Sequence, residues 1–256
     1  MKGVNEFPGF NLAGQTFGFV EHFTTPVYVA TQAIADNTGA ITVYQGQLFS
    51  DFSPDSGATV TIGDAHGGVV ALASGNTDNN EAYLYTTKEI VKFQAGKPFA
   101  VKASVQYTES NTDDANVFFG VIDAAGVANT LVDNGGGLKT TASGAAFVKV
   151  DGGTNWKIWN SISTTQNTVE LTAANSLDKT AKTAGGSTAQ VLEIHWNPTS
   201  STQGWLNYII DGNLAYRDLF TFTNATEMNV AAGVKAGSAN GGETVNIDYI
   251  AFEAKV

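Results

Sequence analysis

FAVKASVQYT (Phe99–Thr108) alternates along its whole length. Val101, Ala103, Val105 and Tyr107 share one side, and Lys102, Ser104, Gln106 and Thr108 share the other. Successive side chains of a strand point to opposite faces, so this is an antiparallel strand with one face in a core and one in water. The same period runs outward in both directions. ATVTIG (58–63), VVALAS (69–74) and AYLYT (82–86) precede it, and NVFFGVID (116–123), apolar nearly throughout, follows as a central strand.

Farther along, FVKVDGGTNWKIWN (147–160) and WLNYIIDGNLAYRD (205–218) each set an Asp-Gly pair between two apolar runs. Such pairs accept positive φ and mark hairpins. VLEIHW (191–196) and EMNVAAGVKAG (227–237) supply further strands, while the stretch 164–190 is a long excursion between strands. KEIVKFQAG (88–96) fits a short helix or a strand equally, and no longer amphipathic stretch has helical spacing. With 28 glycines and only 14% charged residues, the chain lacks the Lys, Glu and Arg that exposed helix faces carry. Many short strands without a repeat predict an all-β, two-sheet antiparallel β-sandwich of jelly-roll type. The expected division is an extended N-terminal segment, an arm or first strands, over 1–45 and the sandwich over 46–256.

The closing stretch VNIDYIAFE (245–253) changes parity. Val245, Ile247 and Tyr249 alternate with Asn246 and Asp248, after which Ile250 and Phe252 carry the apolar signal on the other side. A bulge is the expected cause. The first three residues would then face the core. Ile250 and Phe252 would point outward, under the N-terminal segment or a neighbouring subunit.

The chain carries 24 acids against 13 Lys plus Arg, a net charge of −11, so nucleic acid, which needs clustered Lys and Arg, is not an expected partner. It contains no cysteine, which excludes disulfides and Cys-based metal sites or nucleophiles, and favours assembly inside a cell. The first residues have no apolar run of signal-peptide type, and no stretch approaches the ~18 apolar residues of a membrane span. No membrane partner is therefore expected.

Catalytic signatures are missing. His22, His66 and His195 are scattered, and His195 shares a strand face with Glu193 and Asn197. Glycosidases on sandwiches need two carboxylates flanking the scissile bond. The nearest match, Glu193-Ile194-His195-Trp196-Asn197, lacks the second acid, and in NIDYIAFE (246–253) Asn246 stands where an acid is needed. No enzyme activity is expected. NTDNNE (76–81) and NTDDAN (111–116) gather oxygen atoms that would suit a structural calcium ion, but Asx-rich loops of this kind ordinarily form turns, and no cofactor is expected. Trp156, Trp159, Trp196 and Trp205 are the rings that would stack on sugars, with Trp159 and Trp205 the candidates for exposure.

The succession GGVVALASGNTDNNEAYLYT, GKPFAVKASVQYTESNTDDANVFFGVIDA and LVDNGGGLKTTASGAAFVKVDGGTNWKIWNS, with IIDGNLAY and the closing GVKAGSANGGETVNIDYIAF, resembles phage virion proteins with a concanavalin A- or laminin-G-like jelly roll. The resemblance covers roughly residues 60–256 and rests on turns and the chain ending, not on a catalytic motif. It implies a capsid decoration (cement) protein that binds the major capsid protein as a dimer or trimer. Its place would be the capsid exterior of a virion assembled in the host cytoplasm. The alternative is a lectin-like glycan-binding module of a tail or head fibre. The candidate interaction surface is Phe7, Phe10, Phe17, Phe19, Trp159, Trp205, Ile250 and Phe252.

Overall fold

The computed structural model describes residues 16–23, 48–63, 68–108, 114–185, 188–222, 226–238 and 242–255. These residues contain strands and no helix. In chain order the strands are β1 (Thr16–Glu21), β2 (Phe49–Phe52), β3 (Thr59–Gly63), β4 (Val69–Ala73), β5 (Glu81–Thr86) and β6 (Phe99–Thr108). They continue with β7 (Asn116–Ile122), β8 (Leu131–Val132), β9 (Gly137–Leu138), β10 (Gly144–Lys149), β11 (Lys157–Ile162) and β12 (Thr165–Glu170). The last are β13 (Gln190–Pro198), β14 (Gln203–Ile210), β15 (Asn213–Thr221), β16 (Asn229–Lys235) and β17 (Thr244–Lys255).

Two antiparallel sheets form the sandwich. The larger has eight strands in the order β15-β14-β13-β6-β17-β4-β3, with β1 also on β17. The smaller has seven, in the order β12-β11-β10-β7-β16-β5-β2. β7, from NVFFGVI, is the middle strand, as its continuous apolar run requires. In the larger sheet, the side of β17 away from β6 is shared: Thr244–Ile247 pair with β4, and Ile250–Lys255 pair with β1. The strand Thr16–Glu21 of the N-terminal segment is therefore part of the larger sheet. Phe7 and Phe10 lie outside the described residues.

The main core lies between the sheets. Val101, Ala103, Val105 and Tyr107 enter it from β6, and Leu192, Ile194 and Trp196 from β13. One end is an aromatic cluster, in which the Phe93 ring centre lies 4.8 Å from Phe220 and 5.1 Å from Trp196. Phe93 belongs to the segment 88–96, which is not a helix. It is an irregular span held by Val91 pairing with Met228.

A second core lies on the outer face of the smaller sheet. Tyr83, Phe118, Val148 and Trp159 project there, and the segment 123–142, with its β8–β9 hairpin, covers them through Leu131, Leu138 and Ala142. β7, β10 and β16 are consequently buried on both faces. Gly233 of β16 serves this packing, because a Cβ there would stand 2.2 Å from Tyr83 and 2.5 Å from Phe118. Trp159 is 2% exposed and does not belong to an interaction surface. Parity correctly separates it from Trp156 and Ile158, but the second core, not solvent, receives it.

The bulge in β17 exists, between Ile247 and Tyr249, and its effect is the reverse of the one expected. The extra residue cancels the parity switch. Val245 and Ile247 before it, and Ile250 and Phe252 after it, all enter the main core at 0% exposure. Tyr249 is the residue turned outward, half-buried beside His22 at 5.7 Å between ring centres. Ile250 and Phe252 are thus core, not interaction surface. The N-terminal segment does cover Phe252: Phe19 lies opposite it with ring centres 5.8 Å apart, and Phe17 stands 6.2 Å away.

Both Asp-Gly hairpins form. Asp211 and Gly212 have φ of 51° and 77° in a two-residue turn joining β14 to β15. β10 pairs with β11 across a longer connection, with the Asp151-Gly152 turn at its tip. The excursion 164–190 opens with the edge strand β12 before it becomes a loop.

Candidate functional site

Because Leu192, Ile194 and Trp196 of β13 fill the core, Glu193, His195 and Asn197 project from the outer face of the larger sheet. Strand register then sets their neighbours. Glu193 lies opposite Lys102 of β6, and His195 stands between Ala100 of β6 and Asn207 of β14. Asn197 is opposite Trp205, which in turn lies opposite Leu219 of β15, while Arg217 of β15 faces Asn207. Glu253 of β17 reaches the same face beyond Ala100. One polar band therefore crosses five strands, with an aromatic ring beside it.

Two groups within the band are joined by hydrogen bonds. Lys102 Nζ donates to Glu193 Oε1 at 2.9 Å, and His195 Nε2 stands 3.2 Å from Glu193 Oε2. Burial raises the Glu193 carboxyl, but the hydrogen bonds and charges of His195 and Lys102 outweigh it and hold the group below the usual carboxylate range. Arg217 Nε donates to Asn207 Oδ1 at 2.6 Å, which fixes the guanidinium 5.7 Å from the centre of the Trp205 ring. Glu253 is 5% exposed, and its Oε2 has no hydrogen-bond partner.

The state of Glu193 has a measurable consequence. A carboxyl held low in the folded protein adds stability that is present above the unfolded value of about 4.3 and lost as pH falls through the lower folded value. The stability gap between wild type and Glu193→Gln is expected to shrink below that pH in urea unfolding. A gap that stays constant or widens on acidification contradicts the assignment.

Four tryptophans were candidate platforms, and exposure separates them: Trp156 and Trp196 at 0%, Trp159 at 2% and Trp205 at 37%. Trp205 is the ring available to a ligand. Phe17 is 52% exposed and Phe19 partly buried, both at the β1 margin. The face also gathers Lys102, Asn207, Arg217 and Glu253, none of them singled out from sequence. Their signal is strand parity combined with cross-strand register, and only the first is visible in a linear chain.

Among the described residues no three His, Asp or Glu side chains converge as metal ligands. Of the two oxygen-rich loops, residues 111–113 lie outside the described residues, as does His66 elsewhere in the chain. In the other loop Glu81 is engaged with Lys235 at 3.3 Å.

No family model and no curated protein sequence matches the chain. Solved structures do. The potassium-bound carbohydrate recognition domain of Emp46p is similar over 80% of this chain and 88% of its own, with a TM-score of 0.54 at 8% identity. Peanut lectin is similar over 94% of this chain and 98% of its own, with a TM-score of 0.52 at 11% identity. An endo-β-1,4-glucuronan lyase from the fungus Trichoderma reesei is similar over 77% and 87%, with a TM-score of 0.51 at 11% identity. At such identities the likeness is one of fold: the sandwich is a lectin-like, concanavalin A-type jelly roll.

Proposed function

We propose that the chain is a non-enzymatic carbohydrate-binding module that holds glycans on the outer face of its larger sheet. The observation that carries this proposal is Trp205. It is the exposed indole among three buried ones, and it stands in a polar band able to donate and accept hydrogen bonds. A flat ring receives the C–H face of a sugar, and Asn197, His195 and Arg217 supply polar contacts around it. The lectin and carbohydrate-recognition domains of the same fold support the ligand class as analogues.

Catalysis is left out of the proposal because glycoside cleavage needs a protonated carboxyl as acid. Glu193 is held ionised, with both oxygens engaged. The capsid partner, virion location and homo-oligomer implied by the resemblance would add to this function rather than replace it, since a glycan-binding module can be carried on a particle.

A glycan array tests the proposal. Wild type is expected to bind a defined subset of glycans, and Trp205→Ala to lose at least about tenfold in affinity, which is roughly 1.4 kcal/mol. Its unfolding midpoint should stay close to that of wild type, since the ring is partly exposed. Full retention of binding by Trp205→Ala refutes the site.

A further inference from the structure

A second feature stands apart from the Trp205 face. Where the open edges of the two sheets meet, β11 and β12 on one side and β15 on the other enclose a cleft of about 580 Å³, within the range of small-ligand sites. Asp218 projects into it from the inner face of β15, at the margin of the core. A carboxylate in that position needs donors. Two are supplied: Asn160 Nδ2 and Asn167 Nδ2 each donate to Asp218 Oδ2 at 2.8 Å. The two asparagines are cross-strand partners on β11 and β12, and Asn160 is 3% exposed, so the clamp is fixed by the sheet itself.

The clamp uses one oxygen twice. Among the described residues no donor reaches Oδ1, and that oxygen is not sealed from solvent. Around it the cleft combines hydroxyls, from Ser163 and Thr165, with apolar surface from Ile162 and Phe220. Gln166 borders the cleft only from the far side of β12, where its Nε2 donates to the Lys139 carbonyl at 3.0 Å. Among the described residues no Lys or Arg lines the cleft, and Asp218 is the one acidic group. An anion would meet a carboxylate without a countercharge, and a metal ion would find a single acidic ligand.

We propose that this cleft binds one uncharged, hexose-sized saccharide residue. Hydroxyl groups of the sugar exchange hydrogen bonds with Asp218 Oδ1 and with the Ser163 and Thr165 hydroxyls, and its C–H face lies on Ile162 and Phe220. The ligand class follows from the lining of the cleft and does not depend on Trp205. Leu219, which borders both regions, gives a longer chain a path from one to the other.

The test is a titration of the full ¹⁵N-labelled chain with the methyl glycosides of glucose, galactose and mannose at millimolar concentrations, with methyl glucuronoside as the anionic probe. The side-chain amide resonances of Asn160 and Asn167 are expected to shift saturably with at least one neutral glycoside, and less with the glucuronoside. Asp218→Asn keeps an acceptor for both asparagines and is expected to weaken that response at least tenfold. Thr165→Trp blocks the cleft from its exposed rim, should abolish the response, and covers the case in which Asp218→Asn disturbs the fold. Trp205→Ala should leave the response unchanged. The proposal is overturned if neither amide moves, if Thr165→Trp does not alter the response, or if the glucuronoside binds more strongly. Movement of the Trp205 indole with still amides would overturn the cleft while leaving the sheet-face site standing.

Discussion

Replacing Lys235 with methionine is expected to lower the stability of the protein by about 3–5 kcal/mol, the scale for breaking a buried ion pair. Lys235 is 0% exposed and Glu81 2% exposed, and they meet at 3.3 Å from adjacent strands beneath the segment 123–142. Lys235 also donates to Asn129 Oδ1 at 2.7 Å and pairs with Asp133, which is solvent-accessible and counts for less. Glu81 holds the same segment from the other side. Its Oε1 accepts the Asn129 N–H at 2.7 Å, and its Oε2 accepts the Tyr83 hydroxyl. Burial, and then the Glu81 charge, push the Tyr83 phenol up, so it stays a neutral donor. Without Lys235, Glu81 would be a buried charge with no cation, and the cover over Trp159 would lose its anchor. Urea unfolding followed by tryptophan fluorescence reads the loss. Lys235→Met combined with Glu81→Gln should recover part of it, because the uncompensated charge is gone. A loss below about 1 kcal/mol for the single variant would show that the pair is not sealed from water.

Phe252→Ala is expected to cost about 3–5 kcal/mol, as for other fully buried Phe side chains. The ring is 0% exposed in the main core and touches Phe17 and Phe19 of the N-terminal strand. Truncation opens a cavity between the sheets and loosens β1 along its only described partner. Tyr249→Ala, three residues earlier on the outward side, should cost roughly 1 kcal/mol. Thermal or urea unfolding of the two variants side by side reads the orientation of the last strand. A larger loss at Tyr249 than at Phe252 would mean that the bulge does not restore parity.

Those two residues mark where the sequence stops being legible. Alternation in FAVKASVQYT identified a half-buried strand, and continuity in NVFFGVID identified the centre of a sheet, because burial on one face or two leaves a direct trace in composition. A bulge leaves a fainter one. In VNIDYIAFE the parity switch was visible, but not whether the backbone followed the switch or compensated for it. The β14–β15 hairpin repeats the lesson. The Asp211-Gly212 turn alone would set Asn207 against Tyr216 and Trp205 against Asp218. A register shift near Tyr208 moves the partners by one, to Arg217 and Leu219. That single step places Arg217 beside Trp205 on the outer face and turns Asp218 toward the cleft. Trp159 was misplaced for a different reason: local sequence says which face a side chain takes, but not that a distant segment will cover it. The chemistry of both candidate sites depends on register and long-range cover, which lie beyond local pattern.

The central claim, a glycan held by the outer face at Trp205, is tested most directly by the indole N–H resonances of the ¹⁵N-labelled protein. These should be recorded while a glycan that scores on the array is added. The Trp205 resonance should shift saturably, while those of Trp156, Trp159 and Trp196, sealed in the two cores, stay in place. A glycan that binds without moving the Trp205 indole, or that moves the buried ones instead, contradicts the account.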